Sequence, residues 1–179
     1  MKYKTLGMLK NAGMGKDVND KMSGLMSTPY LLSQQRARYL VTVNHEGRLV
    51  QDGFLLNTSG DPTGYNMFVM DGDGAIYSGS KAELNHHSAF LAGGPVASAG
   101  VWKVSYGMLK AVSDQSGHYR PPVDYAEQVL TELKRRGVNV HGVSKEWVGN
   151  KSKDLAKAAK SADVTFERMG AKGVSNSRF

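Results

Sequence analysis

The sequence predicts an α+β domain: an antiparallel sheet of about six strands in three hairpins, one main packed helix, and basic flanking arms. Three observations carry that prediction. Aromatic and β-branched runs recur in pairs around turn-forming residues. One segment, 123–133, repeats apolar residues at helical spacing. The excess positive charge lies outside both. At 179 residues, a length of about one domain, the chain divides into a basic N-terminal arm or helix (1–35), a core of catalytic type (36–144) and a basic C-terminal helix or tail (145–179).

The N-terminal segment is rich in Met, Lys, Gly and Ser. Met22, Leu25 and Met26 can form one short helical stripe, which Thr28-Pro29 breaks because a residue before proline avoids the helical region. The first hairpin is Tyr39-Leu40-Val41-Thr42-Val43, a turn at Asn44-His45-Glu46-Gly47, and a return through Arg48-Leu49-Val50. The second runs through Met67-Phe68-Val69-Met70, turns on Asp71-Gly72-Asp73-Gly74 and leaves through Ala75-Ile76-Tyr77. The third pairs 101–104 with 108–112 around Ser105-Tyr106-Gly107.

Pro121 and Pro122 suit the start of a helix. Val123, Ala126, Val129, Leu130 and Leu133 form its buried stripe. Lys134, Arg135 and Arg136 complement its C-terminal dipole, and Gly137 supplies a left-handed stop. Val138-Asn139-Val140 is read as a short strand after it. Residues 151–160 favour a solvated helix because their apolar side chains are mostly alanine.

Composition excludes several classes. No apolar run approaches the ~20 residues of a membrane span, and the start lacks the continuous apolar stretch of a classical signal peptide. The expected location is therefore cytoplasmic, or inside a target cell after delivery. The absence of cysteine rules out disulfides, thiolate-zinc sites and a Cys nucleophile. Residues 1–38 carry seven Lys/Arg against two Asp, and 145–179 carry eight basic residues against four acidic. Between them, eight basic residues meet ten acidic ones, so any basic surface for nucleic acid belongs to the ends.

Two segments could carry chemistry. Residues 85–100 place His86-His87-Ser88 before a run of small residues that includes Gly93 and Gly94, permitting close backbone approach to a neighbouring element or a ligand. Ser116-Gly117-His118-Tyr119-Arg120-Pro121 joins the third hairpin to the helix. Because both border that hairpin, His87 and His118 can face each other as a general acid–base pair. Ser88 and Tyr119 are then the hydrogen-bonding partners. Arg38, Lys103, Ser116, Arg120, Gly93 and Gly94 are the substrate-binding candidates. No metal site is expected: His86 and His87 are adjacent, so on a strand they point to opposite faces. Asp71-Gly72-Asp73-Gly74 lacks the twelfth-position glutamate of a calcium loop, where Ala82 stands.

The run from His87 to Gly100, followed by residues 116–121, resembles the conserved module of the plant IQ-motif calmodulin-binding protein family. It is also similar to modules in bacterial effector and toxin-like proteins. The resemblance extends upstream through Ala37-Arg38-Tyr39 and Met67–Met70 to Ile76-Tyr77, covering about residues 36–140. Ala89 stands where the family usually has a second serine. No IQ segment with its basic spacing is found here, so calmodulin is not expected as a partner.

Three functions follow as expectations. The first is a metal-independent effector or toxin enzyme that cleaves an RNA phosphodiester with His87 and His118. It needs no cofactor, and its partners are RNA and a cognate immunity protein or host target. The second is an NAD-consuming ADP-ribosyltransferase-like effector, with Arg38, Ser88 and Tyr119 around an NAD cleft. The third is a non-enzymatic binding module in which the histidines and glycines organise the fold.

Overall fold

The three hairpins form, and two of their turns use one device. In the first, Asn44 Oδ1 accepts from the amides of Glu46 and Arg48 (3.0 and 2.9 Å). In the second, Asp71 Oδ1 accepts from those of Asp73 and Ala75 (both 2.9 Å). Gly47 and Gly74 take the left-handed residue each turn requires (φ 72° and 92°). The Asp71 carboxylate is thereby spent on its own backbone.

The computed structural model describes residues 1–8 and 30–148; the Met22, Leu25 and Met26 stripe and the 151–160 segment lie outside them. A short helix α1 (Ser33–Arg36) and a 3-10 turn (Ala37–Tyr39) lead into β1 (Leu40–Val43), β2 (Leu49–Gln51), β3 (Phe54–Leu55), β4 (Asn66–Met70) and β5 (Ile76–Gly79). Then come α2 (Lys81–Leu84), a second 3-10 turn (His87–Ala89), β6 (Ser98–Ser105), β7 (Met108–Ser113), α3 (Val123–Arg135) and β8 (Ser144–Lys145). All strands share one sheet, ordered β3-β2-β1-β5-β4-β6-β7-β8.

The α+β class holds, but among the described residues eight strands replace the expected six. Two short edges make the difference. Asp52 and Gly53 both have positive φ (50° and 81°), the type I′ geometry that turns β2 back as β3. Beyond α3 the chain crosses over and lays Ser144–Lys145 parallel to β7. That strand replaces the one expected at Val138–Val140, where Val138 is a buried core residue instead.

The sheet curls. The amide of Leu49 donates to Gly107 O (2.9 Å), that of Gly107 to Leu56 O (2.7 Å) and that of Thr58 to Val104 O (2.9 Å). The β2–β3 region therefore meets the β6–β7 turn, which lies far from it in strand order.

Both faces of the central strands are covered, so β4 is a continuous apolar run rather than an alternating one. Phe68 and Met70 face one core with Trp102, Ile76 and the α3 stripe of Val129, Leu130 and Leu133. Met67 and Val69 face the other, with Tyr39, Phe90, Val96, Ala99 and Tyr119. Phe68 and Trp102 stack at 4.9 Å. The Trp102 indole donates to Ser78 Oγ (2.9 Å), which donates to Met67 O (3.0 Å). Each such buried side chain contributes ~1.5–3 kcal/mol.

Glu132 lies on the helix stripe with its side chain 1% exposed. It accepts from Lys2 Nζ (2.7 Å), Tyr3 OH (2.6 Å), Arg135 (2.8 and 2.9 Å) and Arg136 Nε (2.8 Å). The Arg135 hydrogen bond is the largest influence holding its carboxyl well below the usual carboxylate range. The same hub fastens the first residues to the core. Lys2 and Tyr3 amides also donate to Gly72 O, and Leu6 bridges Val96. Replacing Glu132 by glutamine removes the charge at the same shape and is expected to cost about 2 kcal/mol, read as a lower urea midpoint. An unchanged midpoint would refute the role of the hub.

Candidate functional site

Seven of the ten nominated residues come together on the second core's side of the sheet. There, residues 84–97 and 116–119 form a layer of short turns. The small residues of 91–97 serve packing: a Cβ on Gly93 would press on Met8 and Tyr30, and one on Gly94 would strike Leu91 O at 2.9 Å.

Within the layer, His87 is buried and its Nε2 lies 2.7 Å from Gly100 O. A carbonyl only accepts, so Nε2 carries the proton. Burial, partly opposed by that hydrogen bond, lowers the imidazole pKa from 6.5 to about 4. Ser88, also buried, shares a 3.0 Å hydrogen bond with His118 Nδ1. The His118 ring stacks on exposed His86 at 4.6 Å, 24° from parallel. Tyr119 is fully buried; its hydroxyl donates to Gly94 O (2.8 Å), and burial pushes its phenol above the ordinary value. Ser116 Oγ accepts from the Tyr119 amide (3.4 Å) and its carbonyl from the Arg120 amide (3.0 Å), closing the turn that aims Tyr119 inward.

Three nominated residues stand apart. Lys103 is exposed on β6, and Arg120 is exposed with φ 42°. Arg38 borders a different feature, a pocket of about 230 Å³ at one end of four neighbouring strands. Arg38 and Tyr39 lead into β1, Gln51 and Asp52 close β2, Asn66 opens β4, and Ser78, Gly79 and Ser80 end β5, with Glu83 on α2.

The Arg38 guanidinium sits over the Tyr39 ring at 5.3 Å. Among the described residues Arg38, Asp52 and Glu83 form no ion pair. Ser80 caps α2 by accepting from the Glu83 amide (3.3 Å) and also donates to its carboxylate (3.4 Å). Sequence reasoning missed Gln51, Asp52, Asn66, Ser80 and Glu83. They come from three separate segments, and only Asp52-Gly53 carried a local signal.

Among the described residues no group of three or more His, Asp or Glu is placed to hold a metal ion. No helix among them is long and apolar enough to cross a membrane.

Fold and site together define a class: an α+β domain on one curled, mostly antiparallel sheet, with a histidine-bearing layer on one side and a polar pocket at the strand ends. The chain belongs to the family described as the IQ motif-containing protein middle domain, which it matches over residues 35–126. Relatives from Arabidopsis thaliana include IQ domain-containing protein IQM3, 38% identical over 118 residues (64% of this chain, 26% of the relative). IQ domain-containing protein IQM2 is 34% identical over 142 residues (73% and 23%). IQ domain-containing protein IQM1 is 32% identical over 143 residues (74% and 28%). The chain thus spans about a quarter of the length of these relatives. No solved structure matches it.

These findings bear out the plant IQ-motif resemblance and correct the functional expectations. The similarity to bacterial effectors is not found. An IQ-motif family overturns the ribonuclease and ADP-ribosyltransferase readings. The effector and toxin labels, and the RNA and immunity-protein partners that went with them, fall with those readings. It also overturns the exclusion of calmodulin, which rested on finding no IQ segment in this sequence.

Proposed function

We propose that the chain is a non-enzymatic binding module whose recognition site is the strand-end pocket, and that calmodulin is a partner of the longer proteins carrying this domain. One observation carries the reading. His87 and Tyr119 are tied to backbone carbonyls and Ser88 to His118, whereas Arg38, Asp52 and Glu83 ring an open hollow without pairing to one another. A buried imidazole held neutral and tied to a backbone carbonyl orders a loop. Exposed charges of both signs around one concavity suit a polar ligand.

The test is chemical-shift mapping of the full chain against a library of small polar compounds. The expected perturbations gather at Arg38, Gln51, Asn66 and residues 78–83, and His118→Ala leaves them in place. Perturbations that gather instead at His86, Ser88 and His118, and vanish in His118→Ala, would overturn the pocket as the recognition site.

A further inference from the structure

The pocket's charges also define the chemistry of what it takes. We infer that it binds a zwitterionic molecule of amino-acid size, carboxylate on Arg38 and ammonium between Asp52 and Glu83. This rests on the pocket being the recognition site.

The volume sets the size. About 230 Å³ is below the ~300–1,000 Å³ of pockets that hold drug-sized ligands, so the hollow matches a small molecule better than a nucleotide or a folded peptide element. The charges set the polarity. Arg38 precedes β1, and Asp52 follows β2, the neighbouring strand. They border the same hollow without an ion pair. Glu83 adds a second carboxylate from α2. A purely anionic ligand would meet two carboxylates, and a purely cationic one would meet the guanidinium. A molecule with both charges close together satisfies all three. Arg38, stacked on Tyr39, presents a planar fork suited to a carboxylate, and an ammonium supplies three donors for two acids.

The neutral lining completes the match. The Asn66 side chain makes no hydrogen bond among the described residues, leaving an amide for a polar side group. Gln51 Nε2 is held on Ser78 O (2.7 Å), so the floor is fixed before a ligand arrives. A Cβ on Gly79 would meet Leu84 and the Tyr39 ring at 3.1 Å, which keeps the inner wall tight and the space small.

The experiment is NMR titration of the full chain with the twenty free L-amino acids. Around L-glutamine, two blocked probes isolate each charge: N-acetyl-L-glutamine without the ammonium and L-glutaminamide without the carboxylate. At least one free amino acid is expected to shift the resonances of residues 38, 66 and 78–83 with saturation. For the glutamine set, each blocked probe is expected to bind about tenfold more weakly, the equivalent of ~1.4 kcal/mol. In Arg38→Gln, L-glutamine and L-glutaminamide become equal; in Asp52→Asn, L-glutamine and N-acetyl-L-glutamine converge.

Blocked probes binding as well as L-glutamine would overturn the inference. So would uncharged or singly charged library compounds occupying the pocket while no amino acid does, although the pocket itself would then stand as the recognition site. Perturbations confined to the histidine layer would overturn both.

Discussion

Gly100→Ala is expected to destabilise the domain by about 3–5 kcal/mol, the upper range for a single substitution. Gly100 lies in β6 opposite Phe68 of β4. A Cβ there would run into the Ser113 carbonyl of β7 and sit 3.2 Å from the Phe68 ring. Neither obstacle is the free end of a flexible side chain. Relief requires β7 to move from β6, and that pair is fixed by five registered residue pairs and by buried Trp102 and Val112. The Gly100 carbonyl also receives His87 Nε2, so a shift of this strand disturbs the layer above it. Urea denaturation of Gly100→Ala beside Gly117→Ala checks the claim. Nothing lies within 4 Å of a Cβ on Gly117, and that variant is expected to stay within ~0.5 kcal/mol of wild type. A Gly100→Ala loss below about 1 kcal/mol would mean that β6 and β7 separate easily.

The hairpins and the long helix were legible because each is local. Alternating or β-branched runs flank turns whose chemistry is written in two to four residues. Asp52-Gly53 is a turn of the same kind, but the strand beyond it is only Phe54–Leu55, too short to register as a periodic run. Ser144–Lys145 has no strand pattern at all; its place follows from the crossover after α3. Glu132 left a clue in Arg135 and Arg136, three and four residues on. Its other partners, Lys2 and Tyr3, are distant in sequence. The pocket was the least legible feature, since residues 38, 52, 66 and 83 become neighbours only once four strands align.

The histidines show how far residue type carries in sequence. His87 and His118 were nominated by residue type and by flanking the same hairpin, and the fold does bring their segments together. Type alone does not reveal which ring is buried. The nearest signal was the apolar run Ala89-Phe90-Leu91 behind His87, which favours an inward-facing layer over an open cleft.

His87 is accordingly expected to make the protein acid-sensitive. Its folded pKa, lowered by burial to about 4, lies below the ordinary imidazole value of 6.5. Above pH 6.5 the ring is neutral in both states, so its contribution to stability is fully present. Between pH 6.5 and 4 the unfolded chain binds a proton that the folded chain does not. Stability then falls by about 1.4 kcal/mol per pH unit, to a total of about 3 kcal/mol. Below pH 4 both states are protonated and this loss stops growing. His87→Gln supplies an amide that can donate to Gly100 O but cannot titrate. Its stability at pH 7 is expected to be lower, because the flexible amide loses more rotamer freedom and packs less well than the imidazole. Between pH 6.5 and 4, its curve is expected to lack the His87 slope. Urea midpoints across that range decide the matter: parallel curves for wild type and variant would show that the proton is taken up elsewhere, and that burial does not hold His87 neutral.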